Sequence, residues 1–414
     1  MVVTIFGLGF VGLTTALGFC EMGHTVYGLD VNAERMSLLK DNHLPFFEPY
    51  MEDKLVEFQN QRLFLTEDVS EAIEKSDVVY FCVGTPYGAN GSADLTYLFS
   101  AMDSAVDVIR DDKYRVFVTK STIPPSTTAE KIVPYLQKKG SIYENIAVAN
   151  NPEFLREGHC WMDFIEADRI VLGVEEKRAK EILIRLYEPL NVPVFCVTYS
   201  TGEFIKYLSN TLLATLISYS NEMAEAADAI GNIEVAEAFK ILHMDKRWNG
   251  CDMTSYVYPG CGYGGYCLPK DTCAFYSQAK EKGANPKILS EVIQMNENRS
   301  SSIASKIAGG LSKTKCIGIL GLSFKPDSDD VRDTAAARII KELNAMGYEN
   351  IVAYDPVASE IFAKTYSTLK LEYAKDMQEV YQKADKLAIV TAWKEFKDIK
   401  ELGSKEIVDC RYFL

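Results

Sequence analysis

Apolar runs alternate with helical patterns over the first ~100 residues, the signature of βαβ units over a parallel sheet. From Thr201 to Gly231 there is no proline and only terminal glycine, and apolar residues recur every three or four positions, as in one long helix. Beyond Cys316 the opening pattern is echoed. Together these predict an α/β protein with two Rossmann-like domains joined by a long central helix. The expected division is 1–200, 201–300 and 301–414.

The elements follow in order. Val2–Phe6 reads as a strand, Gly12–Met22 as a helix ending at Gly23, and Thr25–Leu29 as a strand closing on Asp30. Asp77–Val83 is a doubly apolar strand running into Gly84-Thr85-Pro86. Arg115–Val118 and Ile146–Ala149 continue the series, each followed by polar residues at the end where open α/β sheets bind ligands. Phe204, Leu208, Leu212, Thr215 and Tyr219 mark one face of the long helix. Cys316–Leu322, Ile351–Asp355 and Ala384–Thr391 echo the first three strands, although buried strands also look alike by chance. The second glycine turn lacks a full GxGxxG, so it is not expected to bind a dinucleotide in the same way.

Composition excludes several classes. The 414 residues are 47% hydrophobic and 25% charged, enough for packed cores and unlike a disordered or disulfide-stapled chain. A net charge of −14 argues against generic binding to nucleic acid or an anionic membrane. No stretch is apolar enough to span a bilayer, and the chain opens directly on a strand, so a soluble cytoplasmic protein is expected. The ten cysteines lack zinc-type pairs; Cys261, Cys267 and Cys273 stand six apart. With four histidines, neither a histidine mechanism nor a metal site is expected.

Gly7-Leu8-Gly9-Phe10-Val11-Gly12 follows a strand and opens a helix, and Asp30 ends the next strand. Gly7 suits the tight turn, Gly9 the close approach of a pyrophosphate, and Gly12 the packing of helix on strand. Asp30 would accept from a ribose 2′-hydroxyl and repel a 2′-phosphate, which favours NAD over NADP. Arg35 slightly weakens that preference. Asn150–Gly158 reads equally as a solvated loop or as polar groups beside a nicotinamide.

Tyr258–Asp271 is the most unusual segment. Four glycines in six positions make a loop whose backbone N–H groups suit an anion, and Pro269 suits the first turn of a helix. Cys267 then stands beside a helix N-terminus with Lys270 near, a setting that stabilises a thiolate. Asp271 is either part of this chemistry or a dipole-favoured acid. Lys206 and Asn210 share a face of the long helix, as oxyanion stabilisers or as a solvated pair. Gly321–Pro326 and Val331–Thr334 place cations beside a turn, suited to phosphates or to a plain surface loop.

Taken together the chain resembles the UDP-glucose 6-dehydrogenase family, within the wider UDP-glucose/GDP-mannose dehydrogenases. The resemblance runs nearly end to end. It rests on GLGFVG with Asp30, VGTP at Val83–Pro86, KST at Lys120–Thr122, NPEFLREG at Asn151–Gly158, the Lys206/Asn210 helix, GYGGYCLPKD at Gly262–Asp271, and FKP with VRDT at Phe324–Thr334.

It implies oxidation of a UDP-sugar C6 alcohol to the carboxylate with two NAD and one water, in a homodimer, with no metal. Cys267 would be the nucleophile, passing through a thiohemiacetal and a thioester. Lys206 and Asn210 would steady oxyanions, while Asp271, Thr122 and Glu153 would handle water and protons. Cofactor positions would be Gly7, Gly9, Phe10, Val11, Gly12, Asp30, Arg35, Val83, Gly84, Thr85, Lys120, Ser121, Glu157, Lys270 and Arg332. Sugar-nucleotide positions would be Phe154, Leu155, Arg156, Tyr256, Tyr263, Gly264, Phe324, Lys325 and Arg411.

Three departures bear on the sugar. Cys251 stands where the family has an arginine, with Arg247 four residues earlier as a candidate replacement. The phenylalanine before Gly262 is Cys261, and the family's Asp-Gly-Arg reads Asp409-Cys410-Arg411. UDP-glucose is the expected substrate, with a UDP-N-acetylhexosamine or GDP-mannose as the alternative. A two-electron hydroxyacid-type dehydrogenase and a non-catalytic NAD-binding redox sensor are the competing classes.

Overall fold

The computed structural model describes all residues except 87, 89, 90, 231, 246–257, 282 and 284; at 141–143, 222, 225, 226 and 228–230 it describes the backbone alone. The chain divides into two compact units, Met1–Ser209 and Asn210–Leu414. Each is built on its own sheet.

Among the described residues the first unit holds eight strands: β1 (Val2–Phe6), β2 (Thr25–Leu29), β3 (Leu63–Leu65), β4 (Val78–Phe81), β5 (Arg115–Thr119), β6 (Ile146–Asn150), β7 (Ile170–Gly173) and β8 (Val194–Val197). Their order is β3-β2-β1-β4-β5-β6-β7-β8. All pairings are parallel except β6 with β7. The strand order reverses between β1 and β4, and there a crevice opens at the carboxyl ends of the strands. Val3, Ile5, Val78, Tyr80, Val116 and Val118 bury one face of the central strands. Phe6, Val79, Phe81 and Phe117 bury the other. Burial on both faces explains why these strands read as continuous apolar runs.

The second unit repeats the idea with five parallel strands: β9 (Ile317–Leu320), β10 (Ile351–Tyr354), β11 (Glu372–Tyr373), β12 (Lys386–Ile389) and β13 (Glu406–Asp409), in the order β11-β10-β9-β12-β13. Gly321 leaves β9 at φ +93°, as Gly7 leaves β1 at φ +87°. The likeness ends inside the turn. Asp355 is buried, and its Oδ2 accepts from Leu322 N, Ser323 N, Ser323 Oγ and Trp393 Nε1 at 2.8–3.1 Å. Its Oδ1 accepts from Val357 N and Ala358 N. The chain's own groups thus fill the place that a ribose would need.

The long helix runs from Tyr199 to Ile230. A second helix, Cys267–Glu281, starts at Cys267 itself, one residue earlier than its capping pattern implies, with Pro269 inside its first turn. The first helix starts at Phe10, two residues before the expected Gly12. Gly12 lies inside it and has to be glycine, because a Cβ there would fall 1.7 Å from Gly7 O.

Candidate functional site

In the first unit the glycine turn lies at the strand-order reversal. Gly7 N–H donates to Leu29 O at 2.8 Å, and a Cβ on Gly7 would meet Cys82 O at 2.9 Å. A Cβ on Gly9 would meet nothing within 4 Å. The backbone at Gly9 is therefore open, with the Phe10 and Val11 N–H groups in the first turn of a helix that has no side-chain cap. Asp30 accepts from Leu8 N at 2.7 Å, Asn32 N at 2.8 Å and Arg35 Nη1 at 2.8 Å. A carboxylate has about four acceptor positions, which leaves one for a ribose hydroxyl. An open glycine, a helix start without a side-chain cap and an acid at the end of β2 fit a dinucleotide.

Val83 and the exposed Gly84 lead out of β4. Ser121 Oγ donates to Val83 O at 2.6 Å and Thr85 Oγ1 to Thr122 O at 2.9 Å, so the turns after β4 and β5 are tied together. Lys120 is buried, and its Nζ donates to Asn151 Oδ1 at 3.0 Å. Burial pulls its pKa down to about 8, against the opposing pull of Cys82 and Glu153. Asn151 also donates to Val171 O at 2.8 Å and accepts from Tyr187 Oη. Lys120 thus stands under the site rather than open to solvent.

Glu153 and Lys206 form a buried ion pair, Nζ to Oε1 2.7 Å, each side chain 6% exposed. Glu153 Oε2 accepts from Leu155 N at 2.6 Å. Lys206 Nζ lies 5.8 Å from the Phe154 ring centre, and the Arg169 guanidinium 4.5 Å from it. The half-buried Glu157 follows on the same loop. Arg156 is directed to Asp163, with Nη2 2.7 Å from Oδ1 and its N–H 2.8 Å from Oδ2.

In the second unit, Asp271 is fully buried and joins two partners. Asn210 Nδ2 donates to its Oδ2 at 2.6 Å and Lys270 Nζ to its Oδ1 at 2.5 Å. Burial disfavours the Lys270 charge, but the carboxylate of Asp271, with Cys267 and Tyr266, holds its pKa above the ordinary value. Cys267 is half-buried at the first position of the helix that carries both residues. Tyr266, just before it, has Arg332 4.8 Å and Lys270 5.7 Å from its ring centre. Arg332 itself grips Asp330 through Nε at 2.9 Å and Nη2 at 2.7 Å.

The glycine loop is packed backbone-first. Gly262 has φ +91°, and a Cβ there would meet Asn296 Oδ1 at 2.5 Å. Asn296 clasps Tyr263 by accepting from its N–H at 2.8 Å and donating to its carbonyl at 2.9 Å. A Cβ on Gly264 would strike Asp333 O at 2.4 Å, and one on Gly265 would meet the Phe324 ring at 3.2 Å. Lys325 Nζ lies 5.7 Å from that ring. A Cβ on Gly260 would strike Arg411 Nη1 at 2.5 Å. Tyr263, Gly264, Phe324, Lys325 and Arg411 are therefore gathered around one loop. Tyr256 and Arg247 lie outside the described residues.

The residues that hold this loop were not singled out in the sequence. Asn296 and Arg299 lie three apart on helix Lys287–Ala308, and Arg299 Nε donates to Gly260 O at 2.8 Å. Asn221 Oδ1 accepts from Gly260 N at 2.5 Å. A polar pair at i and i+3 amid apolar residues was the available signal. Among the described residues no group of three or more His, Cys, Asp or Glu is arranged to hold a metal ion.

Comparison with known proteins agrees along the whole chain. Residues 1–191 match the UDP-glucose/GDP-mannose dehydrogenase family, NAD binding domain; residues 200–298 match its central domain; residues 318–414 match its UDP binding domain. A UDP-glucose 6-dehydrogenase of Rickettsia bellii is 37% identical over 404 residues, covering 96% of this chain and 90% of its own. One from Rhizobium meliloti is 35% identical over 408 residues, with the same shares. The structure of a UDP-glucose dehydrogenase from Pyrobaculum islandicum superposes with a TM-score of 0.90 at 32% identity, over 100% of this chain and 94% of that one. A UDP-D-ManNAc dehydrogenase from Pyrococcus horikoshii gives 0.84 at 25% identity, over 100% and 96%.

Proposed function

The chain belongs to the UDP-glucose/GDP-mannose dehydrogenase family and is an NAD-dependent dehydrogenase, and on that premise we propose that it oxidises UDP-glucose to UDP-glucuronate in two steps at Cys267. The observation that carries this reading is Cys267 at the head of a helix, with the buried Lys270–Asp271–Asn210 cluster on the turn that follows.

The turn at Gly7–Gly12 and Asp30 would hold NAD, whose contribution when bound is to accept one hydride in each oxidation. Cys267 contributes a nucleophile whose thiolate is favoured by the helix terminus and by Lys270. Its sulfur adds to the C6 aldehyde, so that the reactive carbonyl stays attached as a thiohemiacetal. After the second oxidation the product is a thioester, and water attacks its carbonyl and expels the Cys267 thiolate. Lys206 and Asn210 supply a cation and an amide for oxygen atoms that gain charge. Asp271 and Glu153, with Thr122, supply the groups that orient water and move its proton, a role that carboxylates fill in a histidine-poor chain.

Gly264, Phe324, Lys325 and Arg411 are the sugar-nucleotide side of the reading, supported by their gathering around the loop. Identities of 35–37% to UDP-glucose enzymes support UDP-glucose over an N-acetylated UDP-hexosamine. The working form is a homodimer. Leu212, Tyr219 and Met223 stand 49%, 50% and 37% exposed at helical spacing on the long helix, an apolar stripe suited to a second copy. No helix among the described residues is long and apolar enough to cross a membrane. The described cysteines are all free, which supports a cytoplasmic setting.

The deciding experiment is the yield of NADH per UDP-glucose consumed. Two per sugar are expected. One per sugar, or full turnover in Cys267→Ser, overturns the mechanism. Turnover confined to an N-acetylated or GDP-linked sugar overturns the substrate.

A further inference from the structure

Cys261 and Cys410, two of the positions at which the chain departs from its family's pattern, lie against each other. They are 149 residues apart in sequence, yet Cys261 Sγ is 3.8 Å from Cys410 O and 3.8 Å from Val390 O. Both are free and 4% exposed, in the same hydrophobic cluster. Cys261 precedes Gly262 in the glycine loop, and Cys410 separates β13 from Arg411. The Cys261 sulfur thus reaches the backbone of Cys410, and the two thiols influence each other's ionisation.

The electrostatics distinguish the two sulfurs. The hydrogen bond from the Cys410 thiol holds the Cys261 thiol below its ordinary pKa; burial opposes this, and Arg411 and Arg299 assist it. The same bond, with burial, pushes Cys410 well up. Cys261 is therefore the more acidic thiol of the pair, and the thiolate is the form that reacts. A small reagent has room beside Cys410. A cavity of about 540 Å³ is lined by Cys410 with Arg299, Ser302, Lys306, Asp409 and Tyr412.

We propose that Cys261 and Cys410 are an oxidation site that closes to a reversible disulfide with a peroxide, tying the glycine loop to the strand end that carries Arg411. The Cys261 thiolate attacks one peroxide oxygen; an S–O bond forms, the O–O bond breaks, and hydroxide takes up a proton to leave as water. Cys410 gives up its proton and attacks the Cys261 sulfur; the S–S bond forms and the S–O bond breaks, releasing a second water. Two thiols lose two electrons and the peroxide gains them. A dithiol reductant returns both thiols by exchange.

The bond must draw two backbones together, since a disulfide is about 2 Å long. Neither neighbour of Cys261 can absorb the shift. Gly260 is packed on the Arg411 guanidinium and held by Arg299 and Asn221, and Gly262 is packed on Asn296. The displacement therefore reaches Arg411 and the loop. Its effect on ligand rests on the proposed function, in which these groups hold the nucleotide of the sugar.

The test uses full-length protein carrying Cys267→Ser, so that the other reactive thiol is absent. After hydrogen peroxide, alkylation and digestion without reductant, a linked pair of peptides containing Cys261 and Cys410 is expected. It should weigh two hydrogens less than the reduced pair, vanish with dithiothreitol, and be missing when either Cys261→Ser or Cys410→Ser is added. Cys261 recovered as the free thiol or as a sulfinic acid, or linked elsewhere, overturns the site. Calorimetry with UDP then reads the coupling: affinity is expected to fall at least about five-fold on oxidation and to recover on reduction. Equal affinity in both forms overturns the coupling. Failure of UDP to bind even the reduced protein overturns the functional reading and leaves the linked peptide as it stands.

Discussion

Lys206 Nζ lies 2.7 Å from Glu153 Oε1 with both side chains 6% exposed, so each charge has the other as its counter-ion in a site shielded from water. Removing one member of such a pair leaves an uncompensated buried charge, at a cost of about 3–5 kcal/mol. Glu153→Gln and Lys206→Met should each lower stability by that order and lower kcat far more than they raise KM. The double variant should recover part of the stability and none of the turnover. Denaturant midpoints and steady-state kinetics on the three variants check this. Equal stability losses that simply add would show that the pair is not coupled.

Asp30 and Asp355 end equivalent strands, β2 and β10, yet their partners predict opposite phenotypes. Asp30 keeps one acceptor position for a ligand, whereas Asp355 receives six donors from its own unit. Asp30→Ala should weaken NAD binding about ten-fold or more, from the loss of a hydrogen bond to a charged group. It should also raise relative use of NADP, since Arg35 is freed from its salt bridge. Asp355→Ala should leave NAD binding unchanged and cost about 3 kcal/mol or more, by orphaning buried donors. A cofactor titration and an unfolding curve for each variant separate the two outcomes.

The same pair marks what the amino-acid sequence can and cannot convey. Both acids follow an apolar strand and a glycine turn, and that local pattern places them correctly. What occupies Asp355 comes from Trp393 and Ser323, which meet only in the folded unit. Central strands β1, β4 and β5 were legible because burial on both faces makes unbroken apolar runs. The three-residue β3 and the half-exposed edge strand β8 carry too little pattern to stand out. Cys267, Lys270 and Asp271 were legible as a loop-to-helix junction. Asn296, Arg299 and Asn221 were not, because their role is to grip a loop remote in the chain.

Glu203 supplies a pH-dependent term in the first unit. It is 3% exposed, and its Oε1 accepts from Thr128 N at 2.7 Å and Thr128 Oγ1 at 2.5 Å. Burial raises its carboxyl from 4.5 to about 7, with the Thr128 donors pulling the other way. Between those values the native state keeps a proton that the unfolded chain has released. Its contribution is therefore fully present below about pH 4.5 and is lost as pH rises through about 7. Glu203→Gln carries no titrating group but keeps an oxygen for Thr128. From pH 5 to pH 8 the wild type should lose about 2 kcal/mol more unfolding free energy than the variant. Identical pH dependence in denaturant titrations would sink the assignment.

The last prediction concerns the long helix. Among the described residues its exposed large apolar side chains fall at 204, 208, 212, 219 and 223, spacings of four, four, seven and four that keep one face apolar along the helix. A face of that kind is stable in water when it is covered, and a second copy offers an identical stripe with the twofold symmetry common in such assemblies. Leu212→Asp puts a charge at the middle of the stripe, at a position 49% exposed in the single chain. The substitution therefore costs the isolated chain little, within about 0.5 kcal/mol, while a buried unpaired charge in an interface costs several times more. Sedimentation velocity should show a dimer for the wild type and a folded monomer for Leu212→Asp, with unchanged circular dichroism. A wild-type monomer, or a dimer that survives the aspartate, would place the contact elsewhere or remove it.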